Sequence, residues 1–375
     1  MSNYVEIFKT AMMVFPFVAL LFTMPYVLFQ YHKYGSINKF RSVIIYSFIL
    51  YMMTVYFLVI MPLPTFEEVA AMKTKHPRLE PFAFIGDIIR DSEFDITNPS
   101  TYKHLITDSC IYTVVFNVFM TLPLGMYLRY YFKCGLKKTI MLAFLFSLFV
   151  ETTQLTGLYG IYPKAYRLFD LDDLMVNTFG SFLGYLIAGK ATALLPSREA
   201  IDNKAFIDGM KVSGYRRIVV SLLDLFIFVN VTFIATILFS NLAPMAVIAI
   251  MMFAGYYIAI PYLWDGKTVA GSFLRVRIDV KENRLKNLTL KAVYSVIYNV
   301  VLFLIFTFGL EVINALFFIF GIRFFIVGAV MLGIVMLAYF ISFVKIATKN
   351  ISYSDKLFKI SYVSTISGDS NIALN

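Results

Sequence analysis

Nine separate stretches of predominantly apolar residues constrain this chain more than any other feature: 11–30, 43–64, 109–130, 138–157, 172–195, 217–240, 243–263, 292–313 and 324–345. About 20 helical residues cross a hydrocarbon core of about 30 Å. Inside that core every backbone N–H and C=O must be satisfied within the protein, which leaves helices and closed barrels. Composition agrees: 59% of residues are hydrophobic, 15% are charged and the mean hydropathy is +0.76, whereas a soluble chain carries about 25% charged residues. The expected fold is an all-α polytopic membrane protein of about nine transmembrane helices in two helical modules. A soluble enzyme and a secreted disulfide scaffold are excluded.

The net charge of +10 suggests nucleic acid until its distribution is read. The loops at 31–42, 129–138, 196–217 and 264–291, the tail, Lys190 and Lys345 hold 24 of the 33 basic residues. All of these share one side of a nine-span topology. Positive charge collects on the cytoplasmic side, so the N-terminus is expected outside and the C-terminus inside, in a bacterial cytoplasmic membrane. No nucleic-acid partner is expected; membrane lipids are. The first stretch lacks a preceding basic region and a small-residue cleavage site, so it reads as a helix and not as a signal peptide.

Cysteine and histidine add little. Cys110 and Cys134 stand at opposite ends of one apolar run, roughly 36 Å apart along a helix, too far to pair. His32, His76 and His104 share no ligand spacing. No cofactor is expected, and the sequence leaves any metal unknown.

The boundaries expected are an extra N-terminal helix at 1–40, a first module at 41–195 and a linker at 196–211. A second module at 212–346 and a cytoplasmic tail at 347–375 follow. The first module carries an external segment, 65–108, rich in acidic residues and too long for a plain connection.

Ionisable residues in membrane spans are costly and mark function by default. In the first module they gather at one depth. Glu151 and Gln154 lie three apart, on one helical face. Arg167 precedes Asp170, Asp172 and Asp173, and Asn177 follows one turn on. Asn117 sits at the same depth in the third stretch. Plainer roles accompany these: Asp170 or Asp172 as a helix cap, Gly180 and Gly184 as a packing face, and Glu151 with Arg167 as a buried ion pair. Against the last stands the count, four carboxylates to Arg167 and Lys164. Such a surplus attracts a cation or an ammonium-bearing ligand.

These residues together resemble the VanZ-like family over 41–195. The resemblance rests on Thr54 with the Pro62 region, Asn117 with Pro123-Leu124-Gly125, and Glu151-x-x-Gln154. Arg167 before Asp172-Asp173, then Asn177, Gly180 and Gly184, complete it. It implies an envelope role in low-level glycopeptide (teicoplanin-type) resistance, with the antibiotic or a lipid-linked cell-wall precursor as partner.

In the second module Arg216 and Arg217 open the sixth stretch, Asp224 follows two turns deeper, and Asp265 closes the seventh. An arginine is expected to pair with Asp224 or Asp265 and link the two helices. Over about 210–345 this pattern resembles the RDD family, although the segment Gly266-Lys267-Thr268-Val269-Ala270-Gly271 departs from that family's usual Gly-x-Thr-x-Gly-Lys. The resemblance implies a link to sodium–proton exchange through buried aspartates.

The expected function is glycopeptide tolerance through the acidic outer site (Asn117, Glu151, Gln154, Arg167, Asp170, Asp172, Asp173, Asn177). The alternative is an ion or lipid transporter using buried Asp and Glu. An outer-leaflet enzyme acting on lipid comes third, since no catalytic nucleophile accompanies the carboxylates.

Overall fold

Helices account for most of the computed structural model, which describes residues 2–61, 63–73, 76–280, 282–350 and 352–366; Pro62 lies outside them. Seven of the described helices are long and apolar enough to cross a membrane: Lys9–Tyr34, Lys39–Ile60, Ser109–Tyr130, Leu136–Leu155, Gly214–Phe239, Met245–Leu263 and Phe325–Lys349. The expected stretches 172–195 and 292–313 are also helical but fall outside these seven. For the first of them, Asp172, Asp173, Asn177, Ser181 and Lys190 dilute the apolar run.

The chain divides into two compact units, residues 1–22 with 39–201 and residues 23–38 with 202–375. The N-terminal helix α1 (Ser2–Tyr34) is therefore shared between them.

The first unit continues with α2 (Lys39–Ile60), α3 (Phe66–Ala71), α4 (Ala83–Asp91), α5 (His104–Thr107), α6 (Ser109–Tyr130), α7 (Leu136–Leu155) and α8 (Leu171–Ala191). The segment expected to be external, 65–108, includes short helices. Its helix α3 starts with a capping box, in which the Thr65 side chain accepts from Glu68 N–H and Glu68 accepts from Thr65 N–H, a reciprocal arrangement that satisfies two end donors. The backbones of α6 and α8 approach most closely: a Cβ added at Gly184 would stand 1.9 Å from Leu122 O, and one at Gly125 would stand 1.9 Å from Ser181 O. Only glycine permits that approach, which is the packing role expected of Gly180 and Gly184.

The expected linker at 196–211 is instead the helix α9 (Arg198–Gly209). Ser197 begins it by accepting from Ala200 N–H, and its apolar Ile201 and Ala205 are buried.

The second unit holds α10 (Gly214–Phe239), α11 (Met245–Leu263, with a π-turn at Gly255–Ala259), α12 (Val269–Phe273), β1 (Val276–Val280), α13 (Arg284–Phe320), α14 (Ile322–Lys349), α15 (Tyr353–Leu357) and β2 (Ile360–Ser364). The strands pair antiparallel, Val276 opposite Ser364 and Val280 opposite Ile360. The all-α expectation thus omits a small sheet, whose second strand lies in the stretch expected as a cytoplasmic tail. The core here joins Tyr31, Val212, Val220, Ala270, Leu274 and Val276.

Candidate functional site

Helix α2 stops at Ile60 and leaves its last carbonyls without helical partners, which is costly where water is scarce. Side chains from the α7–α8 connection supply the donors. Gln154 Nε2 donates to Val59 O at 3.0 Å, and Arg167 donates to Val59 O at 2.8 Å and Met61 O at 3.3 Å. Tyr166 donates to Ile60 O at 3.4 Å, and burial pushes its phenol up to about 12. Gln154 and Arg167 are thereby committed to backbone. Among the described residues the Glu151–Arg167 ion pair weighed as a plainer role does not form, and Lys164 donates to Met72 O and to no carboxylate.

The connection itself is strained. Gly157, Leu158, Tyr159 and Gly160 have φ of 58°, 57°, 58° and 89°, one left-handed turn between Gln154 and Arg167. A left-handed helical conformation costs about 1–2 kcal/mol for each residue bearing a Cβ. The turn is held by Tyr159 Oη on Thr153 Oγ1 at 2.9 Å and by Leu158 packed on Val69, Tyr162 and Tyr166.

The cation that serves the aspartates is Arg78, which sequence reasoning missed. Its guanidinium meets Asp87 at 2.6 Å, Asp170 at 2.7 Å and Asp172 at 3.7 Å. Its backbone bridges the start of α8, with Arg78 N–H on Phe169 O at 2.9 Å and Leu171 N–H on Arg78 O at 3.0 Å. The same guanidinium holds the Asp87 carboxyl below the usual range. Asp170 also caps α8, accepting from Asp172 N–H at 2.9 Å. Asp172, 3% exposed, accepts from Phe82 N–H at 2.7 Å and Phe84 N–H at 2.8 Å and so caps α4 from another part of the chain. Arg78 meets its partners by charge rather than by sequence proximity, and a cation count over 65–108 is the available signal.

What remains is a polar seam between facing turns of α7 and α8. Ser147 and Glu151 lie one turn apart on α7, and Asp173 and Asn177 one turn apart on α8. Asn117 on α6 donates to Asp173 Oδ1 at 2.8 Å, Asn177 Nδ2 donates to Ser147 Oγ at 3.0 Å, and Asp170 N–H donates to Glu151 Oε2 at 3.1 Å. Glu151 is 2% exposed. Among the described residues neither Glu151 nor Asp173 forms an ion pair, and Asn177 Oδ1 is buried with no hydrogen-bond partner. Among those residues no His, Cys, Asp or Glu cluster is placed to hold a metal.

The helices define a multi-pass membrane protein. Within it, residues 48–194 match the VanZ/LLP1 family, which is associated with glycopeptide resistance. No curated protein and no solved structure matches the chain. The comparisons give no evidence for a fused RDD domain.

The second unit's charged residues also depart from expectation. Arg216 is fully buried and donates to Leu274 O at 2.9 Å, Arg275 O at 2.8 Å, Gly209 O at 2.9 Å and Ser364 Oγ at 3.3 Å. Arg217 meets Asp355 at 2.7 Å and Asn350 O at 3.1 Å. Asp224 accepts from Tyr256 Oη at 2.7 Å, Thr268 Oγ1 at 2.6 Å and Ala270 N–H at 3.0 Å. Asp265 lies in an exposed turn and pairs with Arg277 and Arg284 at 2.8 and 3.2 Å. The expected Arg–Asp pairing is absent because seven residues of helix put Asp224 about 10 Å beyond Arg217, and each group finds a closer partner.

Proposed function

We propose that the first unit presents its acidic seam to the outer face of a bacterial cytoplasmic membrane. There it lowers glycopeptide susceptibility by engaging an ammonium-bearing ligand, either the antibiotic or a lipid-linked cell-wall precursor. The observation that carries this reading is the surplus of acceptors. Glu151 and Asp173 have no cationic partner among the described residues, and Asn177 Oδ1 is buried without a donor. An ammonium brings three N–H donors and no acceptor, and a buried carboxylate gains most from such a partner. The match of residues 48–194 to the VanZ/LLP1 family supports the same role.

Cation-coupled transport is the second reading, and the second unit argues against placing it on Asp224 or Asp265. Asp224 is saturated by three donors and Asp265 by two arginines.

The test is teicoplanin susceptibility of a sensitive Gram-positive host carrying an empty vector, the wild type, Glu151→Gln or Asp173→Asn, with membrane abundance measured in parallel. Protection by wild type alone, at equal abundance, is expected. Equal protection by both variants removes the seam from the function, and protection by none removes the glycopeptide reading.

A further inference from the structure

The second unit contains a cleft that neither Asp224 nor Asp265 lines. Its volume is about 530 Å³, and Arg217, Asn350, Lys356, Lys359, Ser361 and Tyr362 line it along with Asp355. That size falls in the range of small-molecule sites.

Its charge is one-sided. Asp355 is the one carboxylate of the lining; its Oδ2 meets Arg217 at 2.7 Å, and its Oδ1 is buried with no hydrogen-bond partner. Lys356 forms no ion pair among the described residues. Lys359 pairs with Glu282 at 2.9 Å, both side chains 63% exposed, a tie that water and salt weaken. The guanidinium is preorganised. It lies 3.8 Å from the centroid of the Tyr362 ring, while Asn350 O and Oδ1 each accept from it at 3.1 Å. Lys291 Nζ stands 4.2 Å from the same ring centroid and donates to Tyr362 Oη. Arg217, Lys356 and Lys359 surround the cleft, and Ser361 adds a hydroxyl. Such a set suits an anion with several oxygens.

Its position suits the same anion. Arg217 belongs to the first turn of α10, and Asn350 directly follows α14. Both helices carry spans long enough to cross a membrane, so the cleft lies at the depth of lipid headgroups. Helix α15 exposes Tyr353 and Leu357, at 73% and 55%, one turn apart and therefore on one side. An aromatic and an aliphatic residue in that position anchor a segment in the interface.

We propose that this cleft binds a phosphate group at the membrane surface, carried by an anionic lipid headgroup or free in solution. The experiment uses the full chain in neutral detergent, with thermal unfolding as readout. Three probes are compared: dioctanoyl phosphatidylglycerol, dioctanoylglycerol and inorganic phosphate. Phosphatidylglycerol is expected to raise the unfolding midpoint and dioctanoylglycerol is not. A matching rise with inorganic phosphate assigns the site to free phosphate; a rise with the lipid alone assigns it to the headgroup.

Lys356→Gln with Lys359→Asn removes two exposed cations, and asparagine tolerates the positive φ of 50° at position 359. This double variant should unfold at the wild-type midpoint without probe and bind about 30-fold more weakly. Glu282→Gln frees Lys359 and should tighten binding. Lys137→Gln with Lys138→Gln, the same charge loss in the first unit, should leave it unchanged. The proposal is overturned by no shift with either phosphate probe, an equal shift with dioctanoylglycerol, undiminished binding by the double variant, weaker binding by Glu282→Gln, or an equal loss in the first-unit control.

Discussion

Arg78 and Asp170, 92 residues apart in the chain, meet through side chain and backbone at once. The guanidinium reaches the carboxylate at 2.7 Å, and the Arg78 backbone bonds the residues on either side of Asp170. The segment between the second and third spans is thereby fastened to the turn that starts α8.

Arg78→Gln should loosen that fastening. Asp170 and Asp172 keep their N–H partners but lose their cation, and Asp87 keeps only Arg90. Because Arg78 is 31% exposed, water replaces part of the loss, and a cost of about 1–2 kcal/mol is expected. Limited proteolysis between residues 72 and 82 should accelerate while cleavage elsewhere stays unchanged.

Gly184→Ala should abolish folding of the first unit. Its Cβ would lie 1.9 Å from Leu122 O, backbone against backbone, and overpacking of that kind costs about 3 kcal/mol or more. Gly86→Ala, with nothing within 4 Å of its added Cβ, should be neutral or stabilise α4 by up to about 1 kcal/mol. Membrane abundance of the two variants, measured side by side, checks the contrast.

The segment between the second and third spans should weaken in acid through Asp108. Its carboxylate accepts from Ser92 Oγ at 2.6 Å, His104 at 2.9 Å and Glu93 N–H at 3.2 Å. These bonds, the Ser92 hydroxyl foremost, hold its pKa at about 2, against about 3.9 when unfolded. A group depressed on folding stabilises fully above its unfolded pKa and loses that contribution as pH falls through its folded one. Hydrogen-exchange protection over residues 92–108, measured against the intrinsic rate at each pH, should therefore fall between about pH 4 and pH 2. Asp108→Asn should show fast exchange already at neutral pH.

Arg216→Lys should destabilise the second unit despite keeping the charge. One ammonium cannot serve four acceptors on separate segments, because its three donors leave one point and lack the planar fork of a guanidinium. A loss of about 2–4 kcal/mol is expected, within the range for broken buried networks, and thermal unfolding of the purified chain measures it.

Where the chemistry is local, sequence and structure agree. The long apolar runs become helices, Asp170 caps the helix it precedes, and Gly180 and Gly184 mark a close crossing because i and i+4 share a face. Where partners come from afar, local pattern carries no information. Nothing near Asp170 points to Arg78, and nothing near Val276-Arg277-Ile278 specifies Ile360–Ser364 as the strand beside it. The polar composition of 196–211 read as a linker, but the short α9 needs only Ile201 and Ala205 buried. The carboxylate surplus was legible as a count. Its distribution was not, since Arg167 turned to carbonyls and Arg78 replaced it.

Strand β2 also imposes an order on biogenesis. Arg216 waits 148 residues for Ser364, and β1 has no partner until Ile360 has been made. At about 5–20 residues per second, a nascent chain carries a guanidinium with incomplete partners for roughly ten seconds or more. A chain that stops before residue 360 would keep β1 without its strand partner and Arg216 without Ser364.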